Sequence, residues 1–329
     1  MKKIGILYGR ERAFPEAFVE QVNRMNIKGI EAEAIMVDVV QPGKATDYAV
    51  ILDRISEEVP FYRAYLKNAA SSGTAVINNP FWLSADEKFF HNTLAVKIGV
   101  PVPKTVILPS HERPTDTQGD SFSNLKFPLS WDQIFAYIGW PAYLKPHTRG
   151  GWRHVYKLNN PAEFFEAYRQ TGQWVMLLQE EIQYQEYYHC YGLGQKYVKV
   201  MQCEPRYPHP ILRGAVSNPA SEERIKTMTD YVLKLNQALG YDFNMVEIAV
   251  RDGIPYAIDV CNPALDIEVK QLGQENFDWL VEHTAKMAVE RAKAHKSGGH
   301  NLTWGTFVSD SVAPFLNGTG KKPGGGKKK

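Results

Sequence analysis

The sequence predicts an α/β protein whose C-terminal half is of the α+β kind. Over the first hundred residues, short apolar runs alternate with amphipathic stretches, which is typical of a parallel sheet covered by helices. Later apolar runs follow one another across short turns, which indicates antiparallel strand pairs. At 329 residues and 44% hydrophobic content, the chain is long enough for about two domains with a substantial core.

The charge distribution argues against a nucleic-acid-binding domain. The formal net charge is +2, but the last nine residues contain five lysines and no acidic residue, which leaves −3 on residues 1–320. No apolar run approaches the roughly 20 residues that a membrane span needs. The three cysteines are widely spaced and the apolar start of the chain is short, so neither a disulfide framework nor a signal peptide is indicated. We therefore expect a cytoplasmic protein that binds neither nucleic acid nor membrane.

The first hundred residues contain four strand signals and three helix signals. Strands are expected at Ile4–Tyr8, Glu31–Val37, Tyr48–Leu52 and Thr74–Ile77. Helices are expected at Pro15–Met25, Pro60–Ala70 and Ser84–Ile98. The third helix has a start signal, because Ser84 and Glu87 form a capping-box pattern, and Gly99 supplies its stop.

Beyond residue 100 the pattern changes to short strands and longer helices. Strands are expected at Val102–Leu108, Ala142–Lys145, His154–Leu158, Val175–Gln179, Tyr187–Tyr191, Lys196–Gln202, Met245–Val250 and Tyr256–Val260. Helices are expected at Trp131–Ile138, Pro161–Arg169, Ser221–Leu239 and Asn276–His295, the second of them with Asn160 as its N-cap. A polar surface loop is predicted over residues 109–124, and residues from 318 onward read as a flexible tail.

A glycine-containing turn is the first segment that can carry chemistry. In the stretch PAYLKPHTRGGWR, from residue 141 to 153, a strand ends at Lys145 and the adjacent glycines Gly150 and Gly151 follow. Backbone N–H groups at such glycines can approach a phosphate chain closely, and a lysine can neutralise it. On this segment alone, a plain hairpin with solvated charges is the simpler interpretation. A Walker A loop is excluded, since its Gly-Lys-Ser/Thr pattern is absent.

The second segment, QEEIQYQE from residue 179 to 186, joins a strand to three carboxylates. Glu180 or a neighbouring peptide carbonyl can accept a hydrogen bond from an adenine amino group, and the Ile182 N–H can donate to the ring. Glu186 can accept from sugar hydroxyls. Solvated acids at the end of a strand are the alternative.

Two neighbouring antiparallel strands each carry one acid within an apolar run. These acids are Glu247 and Asp259, and Asn262 follows the second strand. Acids in buried strands need partners. Two carboxylates and an amide oxygen form a hard, oxygen-rich site that suits Mg²⁺ bridging nucleotide phosphates. A hydrogen-bonded structural pair is the alternative.

In this order, the three segments resemble the ATP-grasp superfamily, and the likeness extends over roughly residues 1–295. A fourth sign is the stretch ADEK at residues 85–88, followed by IGVPVPKT at 98–105, which looks like the family's helix that ends at glycine and enters a Pro-flanked strand. The resemblance implies an N-terminal α/β domain over 1–100, a small lobe with the flap over 101–178, a large lobe with the nucleotide and metal site over 179–297, and a tail over 298–329.

The resemblance also implies which residues hold ATP and Mg²⁺, or Mn²⁺ in its place. The nucleotide contacts would be phosphate contacts from Lys88, Lys145, Gly150 and Gly151, adenine contacts from Glu180, Glu181 and Ile182, and a ribose contact from Glu186. The metal ligands would be Glu247, Asp259 and Asn262. A cation that stabilises the γ-phosphate and the tetrahedral adduct would be Arg213, with Lys199 and Arg206 as further candidates.

The metal motif departs from the family pattern at one position. Most members have an acid-x-Asn spacing, whereas this chain has Asp259-Val-Cys261-Asn262, with Cys261 in the expected place. Either a bulge restores Asn262 to the metal, or the metal rests mainly on Glu247 and Asp259, with Asp266 and Glu268 able to assist. His189 and the surrounding tyrosines are interpreted as packing residues.

The resemblance implies a ligase that activates a carboxylate as an acyl phosphate and joins it to an amine, with release of ADP and phosphate. The partners would be a small carboxylate and an amine, with amino acids or peptides as the expected class. The alternatives are phosphoryl transfer, ligation to a non-amine acceptor, and a nucleotide-binding module without catalysis. The sequence leaves the oligomeric state open, a homodimer included.

Overall fold

The computed structural model describes residues 1–81, 87–148, 154–204, 211–212, 220–263 and 267–296. Within these residues, strands form one parallel sheet and two antiparallel sheets. This arrangement confirms the predicted α/β class with an antiparallel second half. No helix in the same part of the chain is long and apolar enough to cross a membrane.

The N-terminal sheet is parallel, with strand order β2-β1-β3-β4. Its strands are β1 (Lys2–Leu7), β2 (Ile30–Ala34), β3 (Tyr48–Asp53) and β4 (Ala75–Ile77). Helices α1 (Ala13–Arg24) and α2 (Pro60–Ser71) connect them. The predicted strand–helix alternation is confirmed, although β2 ends at Ala34 rather than Val37 and, in the part of the chain described, no helix joins β2 to β3.

The small sheet, with strand order β5-β8-β6-β7, is antiparallel. Its strands are β5 (Thr105–Leu108), β6 (Ala142–Pro146), β7 (Tyr156–Leu158) and β8 (Met176–Glu180), with helices α4 (Trp131–Ile138) and α5 (Pro161–Arg169) packed on it. The predicted N-cap of α5 is confirmed, since the Asn160 side chain accepts a hydrogen bond from the Glu163 N–H. Strand β5 begins later than predicted, because Pro101 and Pro103 have no N–H to donate to a neighbouring strand.

The large sheet, with strand order β11-β10-β9-β12-β13, is also antiparallel. Its strands are β9 (Glu186–Leu193), β10 (Tyr197–Glu204), β11 (Ile211–Leu212), β12 (Phe243–Arg251) and β13 (Ile254–Asp259). The remaining helices are α3 (Lys88–Lys97), α6 (Glu222–Leu239), α7 (Val269–Leu272) and α8 (Gln274–Ala294). Helices α3 and α6 bury one face of this sheet. The opposite face carries Phe243 and Met245, which are buried, and further along β12 the acid Glu247.

The predicted capping box of α3 is wrong. The helix begins at Lys88, and Glu87 is its N-cap with extended backbone and no capping side-chain hydrogen bond; Ser84 lies outside the described residues. The physical reason is that the Lys88 N–H donates to the His147 carbonyl, 2.9 Å away, at the end of β6. A strand of the small sheet therefore satisfies the first helical amide and fixes the start of α3.

The N-terminal sheet and the large sheet share one hydrophobic core. Phe14 and Phe18 of α1 pack in the same cluster as Phe243 of β12 and Leu280 of α8. Lys2 also donates to three carbonyls at the C-terminal end of α8 at 2.8 to 3.1 Å. These contacts fix the parallel sheet against the start of β12 and against α8.

Candidate functional site

Two carboxylates lie side by side on the face of the large sheet opposite α3 and α6. Glu247 of β12 is the register partner of Asp259 of β13, and the register shifts between Glu247 and Ile248. Their side chains are 20% and 23% exposed. The predicted placement of two acids on adjacent antiparallel strands is confirmed. The register shift places Glu247 directly opposite Asp259.

Two lysines converge on this acid pair from elsewhere in the fold. Lys88, the first residue of α3, donates to Asp259 Oδ2 at 2.7 Å. Lys145 of β6 approaches from the small sheet, and the Lys88–His147 backbone bond holds β6 and α3 together. The structure thus brings together four of the residues singled out in the sequence.

The electrostatics of this cluster show how closely its members are coupled. Burial, together with the Lys88 charge, lowers the pKa of Lys145 to about 8. Burial and the neighbouring Asp259 raise the pKa of Glu247 to about 7, although the Tyr187 hydroxyl donates a hydrogen bond to it. Burial also disfavours the ionised form of Asp259, but Lys88 and Lys145 outweigh it, and the pKa of that carboxyl is lowered.

The residues of this cluster fit a divalent cation together with a polyphosphate. A cation would stabilise the ionised form of Glu247, which burial and the neighbouring Asp259 disfavour, and phosphate oxygens would accept hydrogen bonds from the lysines. No group of three His, Cys, Asp or Glu side chains in the described part of the chain can hold a metal ion. A metal bound by Glu247 and Asp259 would therefore take further oxygen ligands from the phosphate, as Mg²⁺ usually does.

The raised pKa of Glu247 predicts how the nucleotide-free protein responds to pH. A folded-state pKa above the ordinary 4.5 means that the unfolding free energy falls as pH rises towards about 7. Glu247→Gln, which stays neutral, is expected to melt at least roughly 2 °C higher than the wild type at pH 8 and at nearly the same temperature near pH 5. Thermal melting across this pH range checks the prediction. Glu290→Gln, at an exposed ion pair with Lys196, serves as the control, and a pH-independent offset in Glu247→Gln would contradict the prediction.

Cys261 and Asn262 are in different environments. Cys261 is buried in the cluster that α3 and α6 form on the far face of the large sheet. Asn262 is half-buried; its N–H donates to Asn244 Oδ1 at 2.9 Å, and its Nδ2 donates to the Met245 carbonyl at 3.3 Å. Whether Asn262 joins Glu247 and Asp259 as a metal ligand, or the metal rests mainly on those two acids, stays a prediction.

A pair of alanine variants tests this assignment. We expect Asn262→Ala to weaken Mg²⁺ binding by about tenfold, because an oxygen ligand or its hydrogen-bonded neighbour is lost. Cys261→Ala is expected to leave Mg²⁺ affinity unchanged and to lower only stability, since its side chain packs in the core. Titration of Mg²⁺ at saturating ADP measures both. The assignment fails if Cys261→Ala shows the larger loss of affinity.

The connection from β8 of the small sheet to β9 of the large sheet, residues 180–186, is called the hinge here, and it contains the proposed adenine contacts. Glu180 accepts from the Lys104 N–H at 2.9 Å and from Arg251 at 3.4 Å. Glu181 accepts from Lys157 at 2.7 Å. Both carboxylates therefore have protein partners, and the adenine roles of Glu180, Glu181 and Ile182 stay predictions.

The hinge peptide at Ile182 lies beside an apolar cluster. Ile182 is buried against Tyr187, Cys203 and Ala249, and Tyr256 packs at the margin. Within the described residues, the Ile182 N–H forms no hydrogen bond. A buried donor beside an apolar surface suits a planar heterocycle, as the adenine hypothesis requires.

Glu186, the predicted ribose contact, lies away from the charged cluster. It accepts hydrogen bonds from Arg224 of α6 and from the Tyr188 hydroxyl. Because side chains alternate along β9, Glu186 and Tyr188 are on the face that α6 covers, whereas Glu247 is paired with His189 on the other. The ribose role of Glu186 stays a prediction.

The predicted catalytic cations are only partly described. The register of β10, β9 and β12 places Lys199 on the same face of the large sheet as Glu247. The Lys199 ammonium donates to Glu275 of α8 at 3.3 Å. Arg206 and Arg213 lie outside the described residues, as do the flap glycines Gly150 and Gly151 and the loop residue Asp266. Their assigned roles stay predictions.

Two site residues were interpreted from the sequence only as packing residues. Tyr187 donates a hydrogen bond to Glu247, and it belongs to the apolar cluster around Ile182. His189 is the register partner of Glu247; its Nε2 lies 3.9 Å from Glu247 Oε1, and burial lowers its pKa to about 4, so that the ring is neutral. The i, i+2 spacing of Tyr187 and His189 indicates that both side chains lie on one face of the strand. That this face is the one with Glu247 follows only from the register between β9 and β12.

No protein-family model matches the sequence, and no curated protein matches it. Solved structures do. An ATP-grasp RimK domain protein from Sphaerobacter thermophilus superposes with a TM-score of 0.62 at 15% identity, over 87% of this chain and 99% of that one. VanG D-Ala:D-Ser ligase from Enterococcus faecalis superposes with a TM-score of 0.63 at 13% identity, over 88% and 99%. The chain has the ATP-grasp fold.

Further ATP-grasp structures agree with this assignment. D-alanine–D-alanine ligase from Bacillus anthracis in complex with ATP has a TM-score of 0.60 at 15% identity, over 89% of this chain and 98% of that one. The ATP-grasp ligase PsnB in complex with a minimal precursor has a TM-score of 0.62 at 13% identity, over 88% and 99%. The ATP-grasp resemblance predicted from the motifs is thus confirmed for the fold, over nearly the full length of these structures.

Proposed function

We propose that this protein is an ATP- and Mg²⁺-dependent ligase that joins a carboxylate to an amine and releases ADP and phosphate. The observation that carries the proposal is the convergence of Lys88 and Lys145 on the acid pair Glu247 and Asp259, from the small sheet, the large sheet and α3. An ion pair with a purely structural role needs only one acidic and one basic side chain. Four coupled groups at the junction of two sheets suit a cation and a polyphosphate.

Each residue of the cluster has a specific part in this reaction. A carboxylate is a poor electrophile, so one of its oxygens first attacks the γ-phosphorus of ATP. The bond from that phosphorus to the bridging oxygen breaks, ADP leaves, and the carboxylate becomes an acyl phosphate. The amine then attacks the acyl carbon, phosphate leaves, and the amine loses its extra proton. Lys88 and Lys145 hold and neutralise the phosphates, while Glu247 and Asp259 hold Mg²⁺, which supplies further charge neutralisation. The predicted Arg213 would stabilise the charge on the adduct.

The structural neighbours support an amino acid or peptide as the substrate class. Those neighbours include a D-Ala–D-Ala ligase, a D-Ala:D-Ser ligase, and PsnB, which has been crystallised with a precursor peptide and with Mg and ADP. We therefore propose amino acids or peptides as the substrate class of this chain, and we assign no particular substrate to it.

Product analysis tests the proposal directly. The protein is incubated with ATP, Mg²⁺ and pools of amino acids and peptides, and nucleotide products are separated by chromatography. We expect ADP and phosphate that depend on the pool, with the new amide identified by mass spectrometry. AMP and pyrophosphate would overturn the proposal, a phosphorylated product without an amide would indicate phosphoryl transfer, and ATP binding without turnover would indicate a binding module.

A further inference from the structure

A buried ion pair joins the N-terminal sheet to the end of the large sheet. Arg54, directly after β3, donates from Nε and Nη2 to the two oxygens of Glu11 at 3.0 and 2.9 Å. The side chains are 0% and 4% exposed. The guanidinium also lies over the rings of Phe14 and Phe243, with centroid distances of 5.2 and 5.0 Å. The pair is therefore rigidly held in an apolar environment.

The same two side chains bind both ends of the loop that follows β13. Arg54 Nη1 donates to the Pro263 carbonyl at 3.2 Å, and Glu11 Oε1 accepts from the Ile267 N–H at 2.8 Å. Pro263 directly follows Asn262, and Ile267 is fully buried. One ion pair thus fixes the start and the end of this loop.

Apolar side chains in place of Glu11 and Arg54 would fill the same volume, and folding would then not have to remove two charges from water. Replacement of a buried ion pair by apolar residues of similar volume is often neutral or stabilising. What apolar residues cannot provide is a fixed donor for the Pro263 carbonyl and a fixed acceptor for the Ile267 N–H. The specific contribution of the pair is therefore the position of the loop backbone.

We propose that Glu11 and Arg54 are positioning residues that set the affinity of the metal site, because they hold the Pro263 carbonyl, next to Asn262, and the Ile267 N–H against the N-terminal sheet. This inference rests on the proposed function, because it requires a divalent cation at Glu247 and Asp259. Neither side chain need touch the nucleotide or the metal. Both act through the backbone next to Asn262.

Metal binding in the presence of ADP tests the inference without any need for turnover. Mn²⁺ is titrated by electron paramagnetic resonance into the wild type, Glu11→Gln, and the double variant Glu11→Met/Arg54→Met, each with saturating ADP. The double variant removes both charges and preserves side-chain volume, and thermal melting shows whether it is folded. Lys2→Met is the matched control, since Lys2 joins the N-terminal sheet to α8 at a different place.

We expect the double variant to bind Mn²⁺ about tenfold or more weakly while it remains folded. We expect Glu11→Gln to have a smaller effect, because its amide oxygen still accepts from Ile267. Lys2→Met should lower the melting temperature without changing Mn²⁺ affinity. A folded double variant with wild-type Mn²⁺ affinity would overturn the inference; if the double variant does not fold, unchanged affinity in folded Arg54→Lys would do so. Failure of the wild type to bind Mn²⁺ with ADP would instead overturn the proposed function.

Discussion

Lys145→Ala is expected to lower kcat/KM for ATP-dependent turnover by about 10²- to 10³-fold. The Lys145 ammonium is the cation that the small sheet contributes to the cluster, and burial has already lowered its pKa to about 8. A cation in such a place interacts with a phosphate more strongly than a solvated one does, because few water molecules screen it. Its loss removes a phosphate contact and leaves Glu247 and Asp259 with less compensating charge.

Coupled detection of ADP release measures this effect, with kcat and KM determined separately. Lys196→Ala is the matched control, because Lys196 is an exposed lysine that pairs with Glu290 far from the cluster. The control should retain wild-type kcat/KM. Turnover by Lys145→Ala within twofold of the wild type would mean that Lys145 does not contact the reacting phosphates.

Asp259→Asn is expected to produce a loss of similar size, about 10²- to 10³-fold in kcat/KM, together with a weaker dependence on Mg²⁺. The amide keeps the shape of the side chain but removes the negative charge that pairs with Lys88 and would bind the metal. Because Asp259 contributes to the raised pKa of Glu247, the same change should lower the pKa of Glu247.

A Mg²⁺ titration of the initial rate distinguishes a metal ligand from a structural acid. The ligand assignment requires a higher Mg²⁺ concentration at half-maximal rate for Asp259→Asn. Asp242→Asn is a useful comparison, since Asp242 is a partly buried acid that pairs with Arg291 of α8 outside the cluster. Equal Mg²⁺ dependence in Asp259→Asn and the wild type would show that this acid has only a structural part.

Features that depend on local pattern were predictable from the sequence. Strand–helix alternation gives the parallel sheet, and the turn at residues 251–253 gives the pairing of β12 with β13. The acid pair follows from that pairing, because an acid in each of two adjacent apolar strands has to find a partner. Lys145 was identifiable because a lysine ends a strand before paired glycines.

Features that depend on long-range contacts could not be read from the sequence. Glu11 and Ile267 are separated by 256 positions, and nothing near either residue indicates their hydrogen bond. Tyr187 and His189 face Glu247 only because of the register between β9 and β12, which a single sequence does not specify. The start of α3 at Lys88 depends in the same way on a carbonyl of a distant strand.

The transfer of a labelled oxygen is the most direct test of the central claim that the protein activates a carboxylate on ATP. The protein is incubated with ATP, Mg²⁺, and a substrate pool labelled with ¹⁸O in its carboxylates, and phosphate is examined by ³¹P nuclear magnetic resonance. An acyl phosphate requires the released phosphate to carry one ¹⁸O from the carboxylate. Substrate-dependent formation of ADP with unlabelled phosphate would contradict the claim.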